Sequence, residues 1–574
     1  MRRDKVLMLV AALMLPAAGT YARPTTFTAN LTQALEVPPT GSAATGSATV
    51  VLDPAANTLS VHVTFSGLTS PTIMAHIHCC LSFQFQTNFN VGVATTVPAF
   101  PGFPLGVTSG TYDHVLDLTS ASSYNPAFVT LQGGTVANAE AALINGIETG
   151  RTYLNIHTVN FPGGEIRGFL VASPTPAQLS LLKTIPINGT AANRATNMFS
   201  FDISFVDNAN NGLYYLGDRS NAAIDVIDTT GAFTGTPDTL FGQIGGPAVG
   251  FQGDTGNTST SGPNGVAAFF PCIFAGDGNS RVLSFNGAVD FTTVASSLNT
   301  GGAFRADEMA FDPTDRLLLV INNAETVPFG TLINVSSSCM LSQPKTIFFP
   351  GATGAEQPAW DPGTQRFYVS IPQIGSSVQN GGVAKITTTG VIETVFPINF
   401  VSPAGLTLGP NGDLLVGSNT VFDTAGNTCK NVVPGSVASP VGVPATCTGI
   451  AFPQEAICNP GRGCTGNALV SVPGVGGGDE VWYNSGDGNY YVTAGNDPIG
   501  PVFGVVGSVV NTLTQLVPTL PPVPAVTTGA NKHGAGTVHS IAASAANNHV
   551  YVPLPANNSY PNCTQGCIAV FGVP

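Results

Sequence analysis

The sequence predicts an all-β protein in two parts, an antiparallel β-sandwich or barrel followed by a β-propeller of seven blades. Three observations lead there. The 574 residues include 67 Gly and 44 Pro, the composition that many tight turns require. The first part alternates apolar and polar residues with period two, and the second repeats itself about every 50 residues.

Before the first strand, Arg2, Arg3 and Lys5 precede an apolar run from Val6 to Ala18, and Thr20-Tyr21-Ala22 supplies small residues for cleavage. Residues 1–22 are therefore expected to be a signal peptide. An uncleaved anchor would need roughly 20 apolar residues to span a bilayer, which the run does not supply. Ten cysteines, an even count, then suit disulfides in an oxidising compartment. The expectation is a secreted, periplasmic or cell-surface protein that is not transmembrane after cleavage. The 18 basic against 32 acidic residues, a net charge of −14, argue against nucleic acid as a partner.

Residues 24–173 form the first domain. Ala48–Leu52, Leu59–Phe65 and Gly164–Leu170 alternate as strands with one buried face do, with Gly, Pro and Asn clusters between them. Leu31–Pro39 (LTQALEVPP), Gly46, Phe65–Leu68, Ala75-His-Ile-His78, Tyr153–Thr158 and Pro162–Gly168 follow in order. This series resembles the CHRD domain, the module named from chordin, over about 150 residues. Cys79-Cys80 departs from the family, which usually has small residues after that histidine pair.

Residues 174–180, which include Pro174 and Pro176, are expected to be a linker, and residues 181–574 the propeller. Asp307–Val320 aligns without gaps on Glu356–Val369 and on Asp479–Val492. The same register continues at His539–Val552, with looser copies from Phe201 and Ala404. Copies equivalent to Met309 begin at Ile203, Pro358, Leu406, Val481 and Ile541, and the double gap after Ile203 predicts a degenerate copy near Gly265–Phe270. Each unit reads as a blade of four short strands. Lys183–Ile187 looks like the fourth strands of the blades and is expected to complete the last one, hiding an open edge. Insertions are expected near 420–469, which holds Cys429, Cys447, Cys458 and Cys464, and near 498–536. In repeat shape the region resembles NHL-like or YncE-like propellers.

Two constellations could carry chemistry. His76 and His78 lie two apart on a strand and so face one side, and His157 belongs to another strand of the same domain. Neutral imidazoles in this number are a ligand set for copper or zinc, with Asn155 placed to orient a ring. The alternative is three histidines that hydrogen-bond the backbone. Cys79 and Cys80 could bond each other, stay thiols, pair with the propeller or join a soft metal. In the propeller, Asp202, Glu308, Gln357, Gly405, Glu480 and Ser540 occupy equivalent positions at the mouth of the central channel. Asp307, Glu356, Asp479 and His539 stand one residue before their neighbours. Acids and an amide gathered there suit calcium, or a catalytic metal of the lactonase type; the other reading is capped turns.

No nucleophile elbow, Walker loop, His-Glu-x-x-His or dinucleotide fingerprint occurs, and Glu165 with Arg167 reads as a structural pair. The sequence therefore points to an exported, non-catalytic protein that presents both domains to a protein, a glycan or an envelope component. The alternatives are a lactonase-like metal-dependent hydrolase and a copper- or zinc-handling protein.

Overall fold

A computed structural model describes residues 24–173, 178–190, 198–429, 454–476, 478–495, 497, 501–509, 511–519 and 538–574. The expected signal peptide, most of the linker and much of both expected insertions lie outside these residues.

The first domain is one curled antiparallel sheet, a half-barrel of the kind that the alternation predicts. Its strands are β1 (Thr25–Thr32), β2 (Thr45–Asp53), β3 (Thr58–Ser66), β4 (Thr72–His78), β5 (Gly110–Asp117), β6 (Tyr153–Thr158), β7 (Ile166–Phe169) and β8 (Val171–Ala172). They pair in the order β4-β6-β7-β1-β2-β3-β5, and β8 also pairs with β1. The side chains that alternate inward, including Phe27, Val50, Val63, Ile77 and Ile156, form the core.

What closes that core is helical. Helices α1 (Pro126–Leu131) and α2 (Val136–Glu148) supply Phe128, Ala139, Leu143 and Ile147 to it. The spacing of Ala139, Leu143 and Ile147 is the four-residue step of a helix face. The Thr135 side chain caps α2 by accepting from the Asn138 N–H. Burying Leu143 and Ile147 stabilises the fold by about 1.5–3 kcal/mol each.

The second domain is a propeller of seven four-stranded sheets. Its inner strands are Ser204–Val206, Val266–Phe269, Met309–Asp312, Pro358–Asp361, Val401–Leu408, Gly478–Asn484 and Ala542–Ala543. The degenerate copy is thus the second blade. The ring closes as the repeat suggested: β9 (Ser180–Pro186) is the fourth strand of the last blade and pairs with Cys567–Gly572.

Strands stand inside both segments where insertions were expected. Gln454–Cys458 and Leu469–Pro473 are the outer two strands of the fifth blade, and Val502–Gly507 and Thr512–Pro518 those of the sixth. Val502–Gly507 is buried on both faces, so it reads as an unbroken apolar run with no alternation to betray a strand. Disulfides join Cys272 to Cys339, Cys458 to Cys464 and Cys563 to Cys567, and Cys429 is disulfide-bonded as well.

The two domains share an apolar cluster. Leu81, Phe85, Tyr153 and Phe169 of the first pack with Val481, Tyr483, Tyr490 and Val492 of the second. Gln84 Nε2 donates to the Leu408 carbonyl at 3.3 Å. At Gly488 an added Cβ would lie 2.2 Å from the Ala172 carbonyl oxygen, so glycine permits this approach.

Candidate metal centre and channel mouth

Antiparallel register brings the three histidines together. His76 faces Asn155 across the β4–β6 ladder, His78 faces Tyr153, and His157 faces Met74. Because side chains alternate along each strand, all three imidazoles project from the face opposite the core. Their ring centroids are 5.2, 5.6 and 5.7 Å apart. One nitrogen from each lies within 4.8 Å of the others, and all three residues are buried.

Each ring spends its other nitrogen on a backbone carbonyl. His76 Nε2 meets Pro98 O at 2.6 Å, His78 Nδ1 meets Val91 O at 2.8 Å, and His157 Nδ1 meets Pro162 O at 3.0 Å. A carbonyl can only accept, so these nitrogens carry the hydrogens and the tautomers are fixed. The remaining atoms, His76 Nδ1, His78 Nε2 and His157 Nε2, are buried with no partner.

Burial, reinforced by the neighbouring His157, pushes His76 down to about 4. Burial likewise pushes His78 down to about 3, and lowers His157. All three are neutral at pH 7, with lone pairs free. A buried acceptor left unpaired costs about 1–3 kcal/mol, so three such atoms carry a penalty of several kcal/mol that one shared ion would remove. Ligands about 2.0–2.1 Å from one zinc lie at most about 4.2 Å apart, so a modest closing movement completes the fit. Carbonyl hydrogen bonds behind imidazoles are the usual support of such ligands.

Further residues frame this centre. Tyr153 stacks on His78 at 4.8 Å, and the Arg167 guanidinium lies 4.4 Å over the Tyr153 ring. Fully buried Arg167 donates to Asn90 Oδ1 at 2.6 Å and to the carbonyls of Thr87 and Phe89 at 3.0 and 3.2 Å. It thereby anchors the segment that also carries Val91 and Pro98. Burial raises Glu36 to about 7, against the opposing pull of Arg167 and Asn155. Tyr153 could have been found from its two- and four-residue offsets to Asn155 and His157; Glu36 is distant in sequence and left no such signal.

Glu165 and Arg167 are not the pair that their shared face suggested. Glu165 accepts from Ser42 Oγ, Thr69 N, Thr69 Oγ1 and Thr158 Oγ1 at 2.6–3.1 Å. Burial would raise its pKa, but these bonds hold it below the usual value. Cys79 and Cys80 bond each other and lie on the core side against the Ala142 carbonyl of α2, away from the imidazoles.

Fold and sequence together decide the first domain. Residues 27–170 match the CHRD domain. They form a CHRD domain. No curated protein matches the chain. Among solved structures, a chain of the crystal structure of a mitotic checkpoint complex aligns at 10% identity with a TM-score of 0.41, covering 68% of this chain and 93% of that one.

The propeller acids gather as the repeat implied, but two guanidinium groups stand among them. Arg219 hydrogen-bonds Asp202, the Phe201 carbonyl and, at 2.7 Å, Asn264 Oδ1. Arg305 pairs with Asp307 at 2.7 Å. Glu480 accepts from Ser540 Oγ at 2.8 Å, and Gln357 Oε1 accepts from the Leu406 N–H at 2.6 Å. Glu308 Oε2 is buried without a partner. Burial, then the neighbouring acids, hold Glu308 and Glu480 well above the carboxylate range. Gly405 has no side chain to offer; a Cβ there would lie 2.5 Å from the Asp479 carbonyl oxygen.

Proposed function

We propose that this is an exported, non-catalytic recognition protein whose CHRD domain holds a zinc or copper ion through His76, His78 and His157. A CHRD domain and a propeller are both binding modules, and the geometry favours this reading of the first. The observation that carries it is the set of three buried, unpartnered, neutral imidazole nitrogens turned toward one another. The ion would tie β4 to β6, and three protein ligands leave room for a further donor from outside. Export is supported by the basic and apolar leader pattern and by the disulfides. The channel mouth favours charge compensation over a calcium or hydrolytic site, because Asp202 and Asp307 are already engaged by arginines.

Protein purified without added metal, then analysed for elements, is expected to contain close to one zinc or copper per chain. Changing His76, His78 or His157 to Ala should lower that content at least tenfold, and changing His62 or His114 should not. A metal-free wild-type chain that also fails to take up added Zn(II) or Cu(II) would falsify the reading.

A further inference from the structure

The apolar face where the CHRD domain meets the propeller leaves a cavity of about 260 Å³ at one end of the central channel. Its wall is aromatic. Phe205, Phe269, Phe311, Trp360 and Trp482 come from the inner strands of five different blades, and Phe83 comes from the CHRD domain. Phe205 meets Trp482 edge-on at 5.4 Å across the channel, Phe269 meets Phe311 at 6.0 Å, and Phe83 meets Phe269 at 5.8 Å. None of the five blade aromatics is fully buried, although each stands on an innermost strand. Their free ring surface faces the cavity.

Charged and acidic groups stand just behind this wall. The cavity reaches Ile203, Met309, Gln357 and Val481, the residues that directly follow Asp202, Glu308, Glu356 and Glu480. Six acidic residues, Asp202, Asp307, Glu308, Glu356, Asp479 and Glu480, therefore stand just beyond its inner end, and burial holds Glu308 and Glu480 protonated. Facing them are the two arginines Arg219 and Arg305 and the imidazole of His539. Arg151 also lines the cavity, but it is held by Thr149 and Asn145 and attracted to Asp207 beside it. Charge at the mouth is thus largely compensated, and the wall itself selects the ligand: several aromatic faces turned to one space favour a weakly hydrated cation, since ring faces attract positive charge and such a cation loses little solvation there. A sugar would need many more converging hydrogen-bond groups than this mostly apolar wall presents.

We infer that this cavity is a binding site for an organic cation with a quaternary or tertiary ammonium head. The ammonium sits among Phe205, Phe311, Trp360 and Trp482, against their ring faces. The CHRD domain completes the site, because Phe83 and Gln84 form its outer wall. The site is independent of any metal at the histidines.

Calorimetry on the full chain, with choline and its uncharged isostere 3,3-dimethylbutan-1-ol as probes, separates charge from shape. Choline is expected to bind about tenfold more tightly than the isostere. Trp360→Leu and Trp482→Leu should each weaken choline severalfold and bring the two probes closer in affinity, while Trp482→Phe, which keeps a ring, should retain most of the preference. Melting temperatures close to the parent would confirm that the variants fold. Equal affinity for both probes would overturn the inference, as would no choline binding at millimolar concentration, or unchanged preference in both leucine variants.

Discussion

His78 donates its Nδ1 hydrogen to the carbonyl oxygen of Val91, 2.8 Å away, and so turns a bare Nε2 toward His76 and His157. The acceptor belongs to the segment that Arg167 pins and that continues, through Phe83 and Phe85, into the propeller interface. The ligand nitrogens are thus fixed by the same stretch of chain that joins the domains.

Metal retention should follow the depressed histidines. Competition by protons begins only when pH falls toward about 4, the value for His76, and not near 6.5. Dialysis at stepped pH followed by elemental analysis should find the ion retained at pH 5.5 and released near pH 4. In the metal-free protein the unfolded chain takes up protons below about 6.5 while the fold resists, so stability present above that pH is lost as pH falls toward 4. Apo protein should therefore melt at progressively lower temperature over that interval, and the triple His→Ala variant should show a flatter profile.

The repeat and the histidines were legible for the same reason: strand periodicity is strict. Asp307–Val320 and Glu356–Val369 align because each blade must present its inner strand and turn identically, and His76 and His78 share a face because a strand allows nothing else. The helix α2 was not legible within an all-β alternation, since Ala139, Leu143 and Ile147 signal only when read at a four-residue step. The strands Val502–Gly507 and Gln454–Cys458 lacked alternation because their sheets are covered on both sides. Nor can spacing show that Arg219 and Arg305, far apart in sequence, would stand among the channel acids.

Closure of the ring should depend on the buried side of β9. Ile185 is 4% exposed and opposite Ile568, whereas Leu181, opposite Phe571, is 36% exposed. Ile185→Ala should destabilise the protein by about 2–4 kcal/mol and Leu181→Ala by less than about 1 kcal/mol. Thermal melts of the two variants check this, and equal melting temperatures would contradict the closure.

The contact of α2 with the paired cysteines leaves no space at Gly146. A Cβ there would lie 2.5 Å from Cys79 Sγ and 2.8 Å from Cys80 Sγ. Gly146→Ala should cost about 1–3 kcal/mol through overpacking, despite the better helix propensity of alanine. Gly163→Ala, where a Cβ meets nothing within 4 Å, is the control and should melt close to the parent.

At the channel mouth, acid and base substitutions should behave oppositely. Glu308 is held protonated by burial and by Glu356, Asp307, Glu480 and Asp479, so a neutral amide reproduces the form the fold already prefers. A raised folded pKa contributes stability that is full below the ordinary value of 4.5 and is lost as pH rises. Glu308→Gln should therefore leave the melting temperature unchanged at acidic pH and raise it relative to the parent at pH 8. Arg305→Ala does the reverse, because it leaves Asp307, 2% exposed, without its partner at 2.7 Å. Stranding a buried charge in this way costs about 3–5 kcal/mol, somewhat less where the acid can take up a proton. Melting curves of both variants between pH 5 and pH 8 separate the two cases, and a Glu308→Gln protein less stable than the parent at pH 8 would show that the carboxylate is used in its charged form.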